Sequence, residues 1–339
     1  MQVSSRIEAL PLSEPFAISR STTEVAEVVW VELEHDGVRG FGEAAPTERY
    51  EESAESAGAY VEEAADSLGD DPFALEEIMA RLPEREYAAR AAIDAALHDL
   101  CGKLAGVPGW RLLGLPRVGP PTSWTIGLDD PDEMARKAAR AGGFKSLKLK
   151  LGGRDGLDVD RVSAVREVWP RPIRVDVNEG WGDEMEAIEY LPRLAALGVD
   201  YCEQPLPAAH PAGAQVKSSS PIPIFVDEDC HTLEDIPDCA ERSHGINIKL
   251  AKSGGIREAV RMIHAARALG LGVMLGCMVE SGLGIAAGAQ IASLFDHVDL
   301  DGNLLLADDP WPGVELVDGV QLPSETPGLG VTEAVSSSR

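Results

Sequence analysis

Two lysines stand two residues apart in the segment Ser146–Leu151, where polar and apolar residues alternate. This period of two predicts a β-strand with Lys148 and Lys150 on one face and leucines on the other. Folding alone gives no reason to place two ammonium groups side by side. In a buried pocket, however, such crowding lowers a lysine pKa towards neutrality, as a lysine general base requires. An exposed strand with two solvated lysines is the alternative interpretation.

Further charged residues stand in later apolar segments. Asp176, Glu203 and Asp227 fall at the ends of three consecutive segments, and Lys249 falls in the next. Three carboxylates on neighbouring strands can converge on one hard cation, and oxygen ligands favour Mg²⁺. Lys249 and Lys150 would then face each other across the group that the cation holds. This geometry predicts removal of a proton next to a carboxylate and its return to the opposite face, through a cation-stabilised enediolate.

A repeated strand-then-helix unit positions these residues. Eight such units, each of roughly 25 residues, predict a (β/α)₈ barrel, in which the active site lies at the C-terminal strand ends. The predicted strands are 123–128, 146–151, 173–178, 199–204, 222–227, 245–251, 273–278 and 297–303. Helices are predicted at 131–141, 184–197, 256–269 and 284–294. A weak helix is expected at 233–241.

The first third of the chain follows another pattern. Val25–His35 and Val38–Glu43 predict two strands joined at Asp36-Gly37, and residues 51 to about 104 are helical in pattern. Strands followed by helices predict a small α+β domain that ends near the Gly- and Pro-rich stretch 106–121. The segment after the last barrel strand is Pro/Gly-rich and is expected to return to this domain, with frayed final residues.

Composition excludes several classes of partner. The net charge of −27 argues against nucleic acid and against anionic membranes. No apolar run of about 18 residues predicts a transmembrane helix, and the N-terminus lacks signal-peptide features, so a cytoplasmic location is expected. The five cysteines form no C-x-x-C pair and the histidines are scattered, which predicts a reduced compartment without structural zinc.

These motifs resemble the enolase superfamily. The resemblance rests on Lys148-Leu149-Lys150, Asp176-Val177-Asn178, Glu203-Gln204-Pro205, Asp227-Glu228 and Asn247-Ile248-Lys249-Leu250. The K-x-K strand with its opposing lysine is similar to the muconate lactonizing enzyme subgroup, and Gly40–Ala44 is similar to that family's capping domain.

The resemblance implies both an architecture and a set of roles. It implies a modified (β/α)₇β barrel at 119–315 and an α+β capping domain at 1–118, completed by residues of about 316–339. One Mg²⁺ per subunit would be bound by Asp176, Glu203 and Asp227. Lys150 and Lys249 would be the acid/base catalysts. The supporting residues would be Lys148, Asn178 and Glu228.

Asp299 and Asp301 narrow the expected substrate. Two carboxylates on one face could receive an α-ammonium group, and this D-x-D resembles that of the dipeptide epimerases. The resemblance implies an epimerase that inverts the C-terminal residue of a dipeptide. In the loop 15–23, Arg20 could pair with a glutamate side chain, which would favour L-Ala-L/D-Glu, or it could lie in solvent. Ser281, before a predicted helix, is a further expected substrate contact.

One position departs from the family pattern, and some alternatives stay open. The fifth strand ends in D-E-D, with Asp229 where the family usually has serine. N-acylamino acid racemases, o-succinylbenzoate synthases and cycloisomerases share the scaffold, but their substrates carry no ammonium group. A remote alternative is an NAD-dependent oxidoreductase, because Gly282–Ala287 matches G-x-G-x-x-A. Too few residues follow it to complete a doubly wound sheet. The expected partners are a small dipeptide and further copies of the chain in a homo-oligomer.

Overall fold

The computed structural model describes residues 1–334. Its N-terminal part is an antiparallel sheet in the order β1-β2-β3, with strands β1 (Gln2–Ile18), β2 (Ser21–His35) and β3 (Val38–Ala44). The predicted hairpin at Asp36-Gly37 is confirmed, with both residues at positive φ. Four helices follow: α1 (Ala54–Ala64), α2 (Leu75–Arg81), α3 (Tyr87–Ala105) and α4 (Gly109–Leu112).

The second part is a sheet of eight parallel strands. They are β4 (Ser123–Ile126), β5 (Ser146–Lys150), β6 (Ile173–Asp176), β7 (Val199–Glu203), β8 (Ile224–Val226), β9 (Gly245–Lys249), β10 (Gly272–Gly276) and β11 (His297–Val298). A parallel bridge between Thr122 and Val298 joins the two edge strands. The predicted barrel fold is therefore confirmed.

Helices alternate with these strands along the chain. They are α5 (Pro131–Arg140), α6 (Asp158–Val168), α7 (Glu184–Ala196), α8 (Gly213–Ser219), α9 (Ile236–Arg242), α10 (Leu250–Ser253), α11 (Ile256–Ala268) and α12 (Gly282–Ala289). A final hairpin consists of β12 (Glu315–Val317) and β13 (Val320–Leu322). Within residues 1–334, no helix is long and apolar enough to cross a membrane.

Strand β5 is buried on both faces, which explains its sequence. Leu147 and Leu149 belong to the apolar layer between the sheet and its helices, and neither has exposed surface. The alternate residues Lys148 and Lys150 therefore point into the barrel, where they are 1% and 8% exposed. The interpretation of β5 as a solvated strand is excluded.

The eighth barrel strand is shorter than predicted. It ends at Val298, because Leu300 donates its backbone N–H to Thr122 Oγ1, outside the strand pairing, and a 3₁₀ turn begins at Gly302. Asp299 and Asp301 thus follow the strand instead of lying within it.

The glycines at the start of α12 serve close packing. A Cβ atom on Gly282 would lie 2.0 Å from Trp311 O, and one on Gly284 would lie 2.7 Å from Glu280 Oε2. The parallel strands form a barrel and not the doubly wound sheet of a dinucleotide-binding enzyme. Because close packing also explains the glycines, the NAD-dependent oxidoreductase alternative is excluded.

The chain after the barrel returns to the N-terminal part. Leu329 donates its N–H to Asp99 Oδ1 of α3 at 2.7 Å, and Gly328 donates to Val107 O at 3.0 Å. Residues 335–339, which fall in the range expected to complete the capping domain and to fray, lie outside the described residues. The boundaries at 118 and 315 stay a prediction.

Candidate active site

A cavity of about 670 Å³ lies where the C-terminal strand ends meet the N-terminal sheet. Both parts of the chain line it. Predicted site residues among its lining are Arg20, Lys148, Lys150, Asn178, Lys249, Asp299 and Asp301. Strands β5 and β9 are four places apart in the eight-stranded sheet, so Lys150 and Lys249 reach the cavity from opposite sides.

Lys148 lies at the centre of a group of carboxylates. Its Nζ is 2.7 Å from Asp299 Oδ2, 2.8 Å from Glu203 Oε2 and 3.1 Å from Asp176 Oδ2. Burial by itself lowers the pKa of Lys148, but Asp176, Asp299 and Glu203 together outweigh burial and hold that pKa well above its ordinary value. The sequence predicts a lowered pKa for the lysine base, with Mg²⁺ and Lys148 as its causes, and this stays a prediction.

Lys150 contacts the end of β6. Its Nζ donates to Asp176 Oδ2 at 2.7 Å and to Asn178 Oδ1 at 3.0 Å. Burial opposes ionisation of Asp176, but Lys148 and Lys150 outweigh it and keep the pKa of Asp176 below its ordinary value. Asp176 is therefore a carboxylate, as a metal ligand must be.

On the opposite side, Asp227 lies between two ammonium groups. Lys249 Nζ is 2.8 Å from Asp227 Oδ2, and Lys252 Nζ is 2.5 Å from Asp227 Oδ1. Burial favours the neutral acid, yet the two lysines prevail and lower the pKa of Asp227. The same pairing raises the pKa of Lys249 against the effect of burial.

Asp176, Glu203 and Asp227 supply the donor set of a hard cation. All three are at most 2% exposed and offer only oxygen atoms, which suits Mg²⁺. Glu203 Oε2 accepts no hydrogen bond, although Lys148 Nζ is near it, so this buried oxygen has spare capacity for a ligand. Across residues 1–334, however, no three such side chains already form a ligand cluster, because each carboxylate turns to an ammonium group.

The two aspartates after β11 differ in their surroundings. Asp299 Oδ2 pairs with Lys148, and its Oδ1 accepts a hydrogen bond from Thr125 Oγ1 at 3.3 Å. Asp301 Oδ2 accepts the backbone N–H of Thr125 at 2.6 Å. Burial and the nearby charge of Asp299 raise the pKa of Asp301 to about 7. Both carboxylates border the cavity and could accept hydrogen bonds from a bound ammonium group.

Arg20 and Ser281 both contact protein carboxylates. Arg20, at the turn between β1 and β2, donates to Glu228 Oε1 at 2.8 Å. Ser281 caps α12 and donates from its N–H, at 2.8 Å, and from its hydroxyl to Glu43 of β3. Burial raises the pKa of Glu43 to about 8 despite these hydrogen bonds. Ser281 is fully buried. The predicted contacts of Ser281 and of Arg20 with the substrate both stay predictions.

Two residues to which the sequence analysis assigned no role support the carboxylates. Lys252, 1% exposed, binds both the side chain and the backbone carbonyl of Asp227. Asn247 donates Nδ2 to Glu203 Oε1 at 2.7 Å. A signal existed for each: Lys252 follows Lys249 by three residues in an apolar stretch, and Asn247 alternates with Lys249 on β9.

Asp229 belongs to a network beside Asp227. It accepts hydrogen bonds from Gln204 Nε2 at 2.7 Å, from Ala209 N–H at 2.8 Å and from Arg242 Nη1 at 3.0 Å. Gln204 Oε1 in turn accepts the N–H of Asp227 at 2.8 Å. The Asp229 carboxylate is thus paired with the positive charge of Arg242. Through Gln204 it helps to fix the loop that carries Asp227.

A barrel with opposed lysines and three carboxylates at its strand ends, beneath an α+β cap, defines an enolase-type enzyme. The chain belongs to the mandelate racemase / muconate lactonizing enzyme family. Its residues 1–114 match the model of that family's N-terminal domain, and residues 132–334 match the enolase C-terminal domain-like model. The N-terminal part, residues 1–114, is the capping domain of this family.

Similar proteins of known name cover nearly the whole chain. An L-Ala-D/L-Glu epimerase of Bacteroides thetaiotaomicron is 39% identical, over 95% of this chain and 85% of its own length. A dipeptide epimerase of Enterococcus faecalis, solved with Mg and L-Leu-L-Tyr, is 32% identical, with a TM-score of 0.93 over 98% of this chain and 99% of its own. An N-succinyl Arg/Lys racemase of Bacillus cereus is 31% identical, with a TM-score of 0.93 over 98% and 96%.

Proposed function

We propose that this protein is a Mg²⁺-dependent dipeptide epimerase that inverts the α-carbon of the C-terminal residue, with L-Ala-L/D-Glu or a related dipeptide as substrate. One observation carries the proposal: Asp299 and Asp301 border the same cavity as Lys150 and Lys249. The aspartates suit an α-ammonium group, and the lysines suit proton transfer on two faces. The named activities of the epimerase relatives support the same reaction.

In this proposal, Asp176, Glu203 and Asp227 hold one Mg²⁺ per subunit. Their present partners are ammonium groups, which a divalent cation at the same oxygens would replace. When bound, the ion neutralises charge on the substrate carboxylate, which acidifies the neighbouring α-proton. Lys252 and Asn247 keep two of the carboxylates oriented from behind.

The lysines then carry the proton across the substrate. Lys150 removes the α-proton from one face, and Lys249 delivers a proton to the other. The reverse reaction exchanges their roles, so each direction begins with one amine and one ammonium. Lys148 contributes positive charge beside Asp299, 2.7 Å from its Oδ2. The dipeptide ammonium would lie at Asp299 and Asp301, so the substrate is bound at both ends.

N-acylamino acid racemisation is the second candidate, because of the similarity to the N-succinyl Arg/Lys racemase. Such a substrate has the same carboxylate and α-proton but no ammonium group. It would therefore leave Asp301 without a partner on the substrate. The substrates of o-succinylbenzoate synthesis and cycloisomerisation also lack an ammonium group that could bind Asp301.

A deuterium-exchange screen tests the proposal. L,L-dipeptides and N-succinyl amino acids are incubated with protein and Mg²⁺ in D₂O and followed by mass spectrometry. We expect one deuterium at the α-carbon of the C-terminal residue, and no epimerisation by K150A or K249A. The exposed Lys145 supplies the control variant K145A, which should match wild type. No exchange in any dipeptide would refute the proposed function.

The variant D301N separates the two candidates. A lost charge-assisted hydrogen bond is worth about 1.5–3 kcal/mol, so kcat/KM for dipeptides should fall about 10- to 100-fold. The value for N-succinyl amino acids should change far less. Equal losses on both substrate classes would contradict the ammonium assignment.

A further inference from the structure

The turn that follows β6 has an unusual backbone. Asn178 and Glu179 have φ values of 45° and 65°, in the left-handed region that non-glycine residues rarely adopt. Two consecutive residues of this kind persist only where the surroundings hold them, and such strain concentrates at functional sites.

Residues of the capping domain hold this turn. Ser19 Oγ donates to Asn178 O at 2.6 Å, and Arg20 Nη1 donates to the same oxygen at 3.2 Å. Arg49 donates Nε and Nη2 to the two carboxylate oxygens of Glu179, both at 2.9 Å. The tip of the β1–β2 hairpin and the segment after β3 therefore each fix one of the two strained residues.

The side chain of Asn178 connects this turn to Lys150. Its Nδ2 donates to Glu228 Oε1 at 3.3 Å, and Arg20 Nη1 donates to the same oxygen at 2.8 Å. An amide has one donor end and one acceptor end. With the donor end on Glu228, the acceptor Oδ1 faces Lys150 Nζ at 3.0 Å. The chain of contacts runs from Arg20, through Glu228 and Asn178, to the lysine.

We propose that Arg20 is a positioning residue for Lys150 and does not receive the side chain of the substrate. It fixes the backbone and, through Glu228, the amide of Asn178, and this amide orients the lysine. Its charge is already matched by Glu228, whose side chain is 1% exposed, and Glu179 lies 3.7 Å away. The inference rests on the proposed function, because it takes Lys150 as a proton-transfer group.

The competing interpretation, in which Arg20 pairs with a substrate glutamate, makes a different prediction about substrates. The variant R20Q is compared with wild type on L-Ala-L-Glu and L-Ala-L-Leu, which differ in the acidic group. Because small misplacements of a reacting group slow catalysis strongly, kcat should fall by at least about 10-fold on both, with KM nearly constant. R85Q, at an exposed arginine of the capping domain, is the control and should match wild type. A loss confined to L-Ala-L-Glu would overturn the inference.

Proton washout in D₂O provides a readout that a general loss of structure would not produce. It is measured separately from the L,L and L,D epimers of one dipeptide. In R20Q, washout should slow for the epimer whose proton Lys150 removes and persist for the other, where Lys249 removes and returns the proton. Equal slowing of both would contradict a role that acts through Lys150.

A double-mutant cycle tests the route through Asn178. If Arg20 acts through that amide, R20Q should cost less than about twofold in an N178A background, and multiplied losses would overturn the route. S19A removes a single hydrogen bond to the same turn, leaves the Arg20 ion pair and should slow both dipeptides alike. If R20Q does not fold, S19A takes its place in the comparison of the two dipeptides. A loss of activity confined to L-Ala-L-Glu in S19A would also refute the inference. Inactivity of wild type on every dipeptide would instead refute the proposed function.

Discussion

Replacing Lys148 by methionine should destabilise the protein strongly in the absence of Mg²⁺. The ammonium group is 2.7–3.1 Å from Asp176, Glu203 and Asp299, and its side chain is 2% exposed. Methionine keeps much of the volume and removes the charge, which leaves buried Glu203 and Asp299 without an ammonium partner and Asp176 with Lys150 alone. Removing one partner of a buried ion pair costs about 3–5 kcal/mol.

The expected change in melting temperature follows from the length of the chain. At about 2.1 cal/mol/K per residue, unfolding 339 residues has an entropy of about 0.7 kcal/mol/K. The loss therefore corresponds to a decrease in Tm of about 4–7 °C, measured by calorimetry in EDTA. K145M, at an exposed lysine three residues earlier, is the matched control and should shift Tm by less than about 1 °C.

Added Mg²⁺ should recover much of this loss, because it supplies the missing positive charge. At 100 times Kd, ligand binding contributes about 2.7 kcal/mol, or about 4 °C for this chain. The gain should be larger in K148M than in wild type, where the ion competes with an ammonium for the same oxygens. Equal melting temperatures of K148M and wild type in EDTA, or equal stabilisation of both proteins by Mg²⁺, would contradict the role assigned to the charge of Lys148.

Two further predictions concern pH and the loop after β8. Since the pKa of Asp301 is about 7, the residue is neutral below that pH and cannot attract an ammonium, so kcat/KM for dipeptides should rise as pH increases through 7. A profile of kcat/KM against pH checks this prediction, and in D301N the increase near pH 7 should be absent. The same profile in D301N as in wild type would contradict the role of Asp301. D229S should weaken Mg²⁺ binding by about 10-fold by calorimetry, because Gln204 and Arg242 lose their acceptor; wild-type affinity would show that the network does not steady Asp227.

The sequence predicted the barrel well because its strands obey local rules. The alternation in Ser146–Leu151 sets which residues face inward, and the repeated strand–helix unit sets the parallel order. Strand β1 was not predicted. Its register shifts between Pro11 and Phe16, so buried and exposed residues do not alternate regularly along its 17 residues. Its identity as a strand depends on pairing with β2, which a local pattern does not encode.

The electrostatics of the site could not be read from residue types alone. The pKa of Lys148 depends on carboxylates that come from β6, β7 and the segment after β11, up to 151 residues away. Ser281 was expected at the substrate, but its partner Glu43 lies 238 residues away in the capping domain. Such pairings are fixed by tertiary packing, which a single sequence leaves open.

The return of the C-terminal segment to α3 has a consequence for how the molecule assembles during synthesis. Asp99, which is 1% exposed, accepts the N–H of Leu329, a contact that closes a loop of 230 residues. Closing a flexible loop of that length costs about 5 kcal/mol of chain entropy unless the barrel between has already folded. During synthesis, this contact can therefore form at low entropic cost only after the barrel between its two residues has folded.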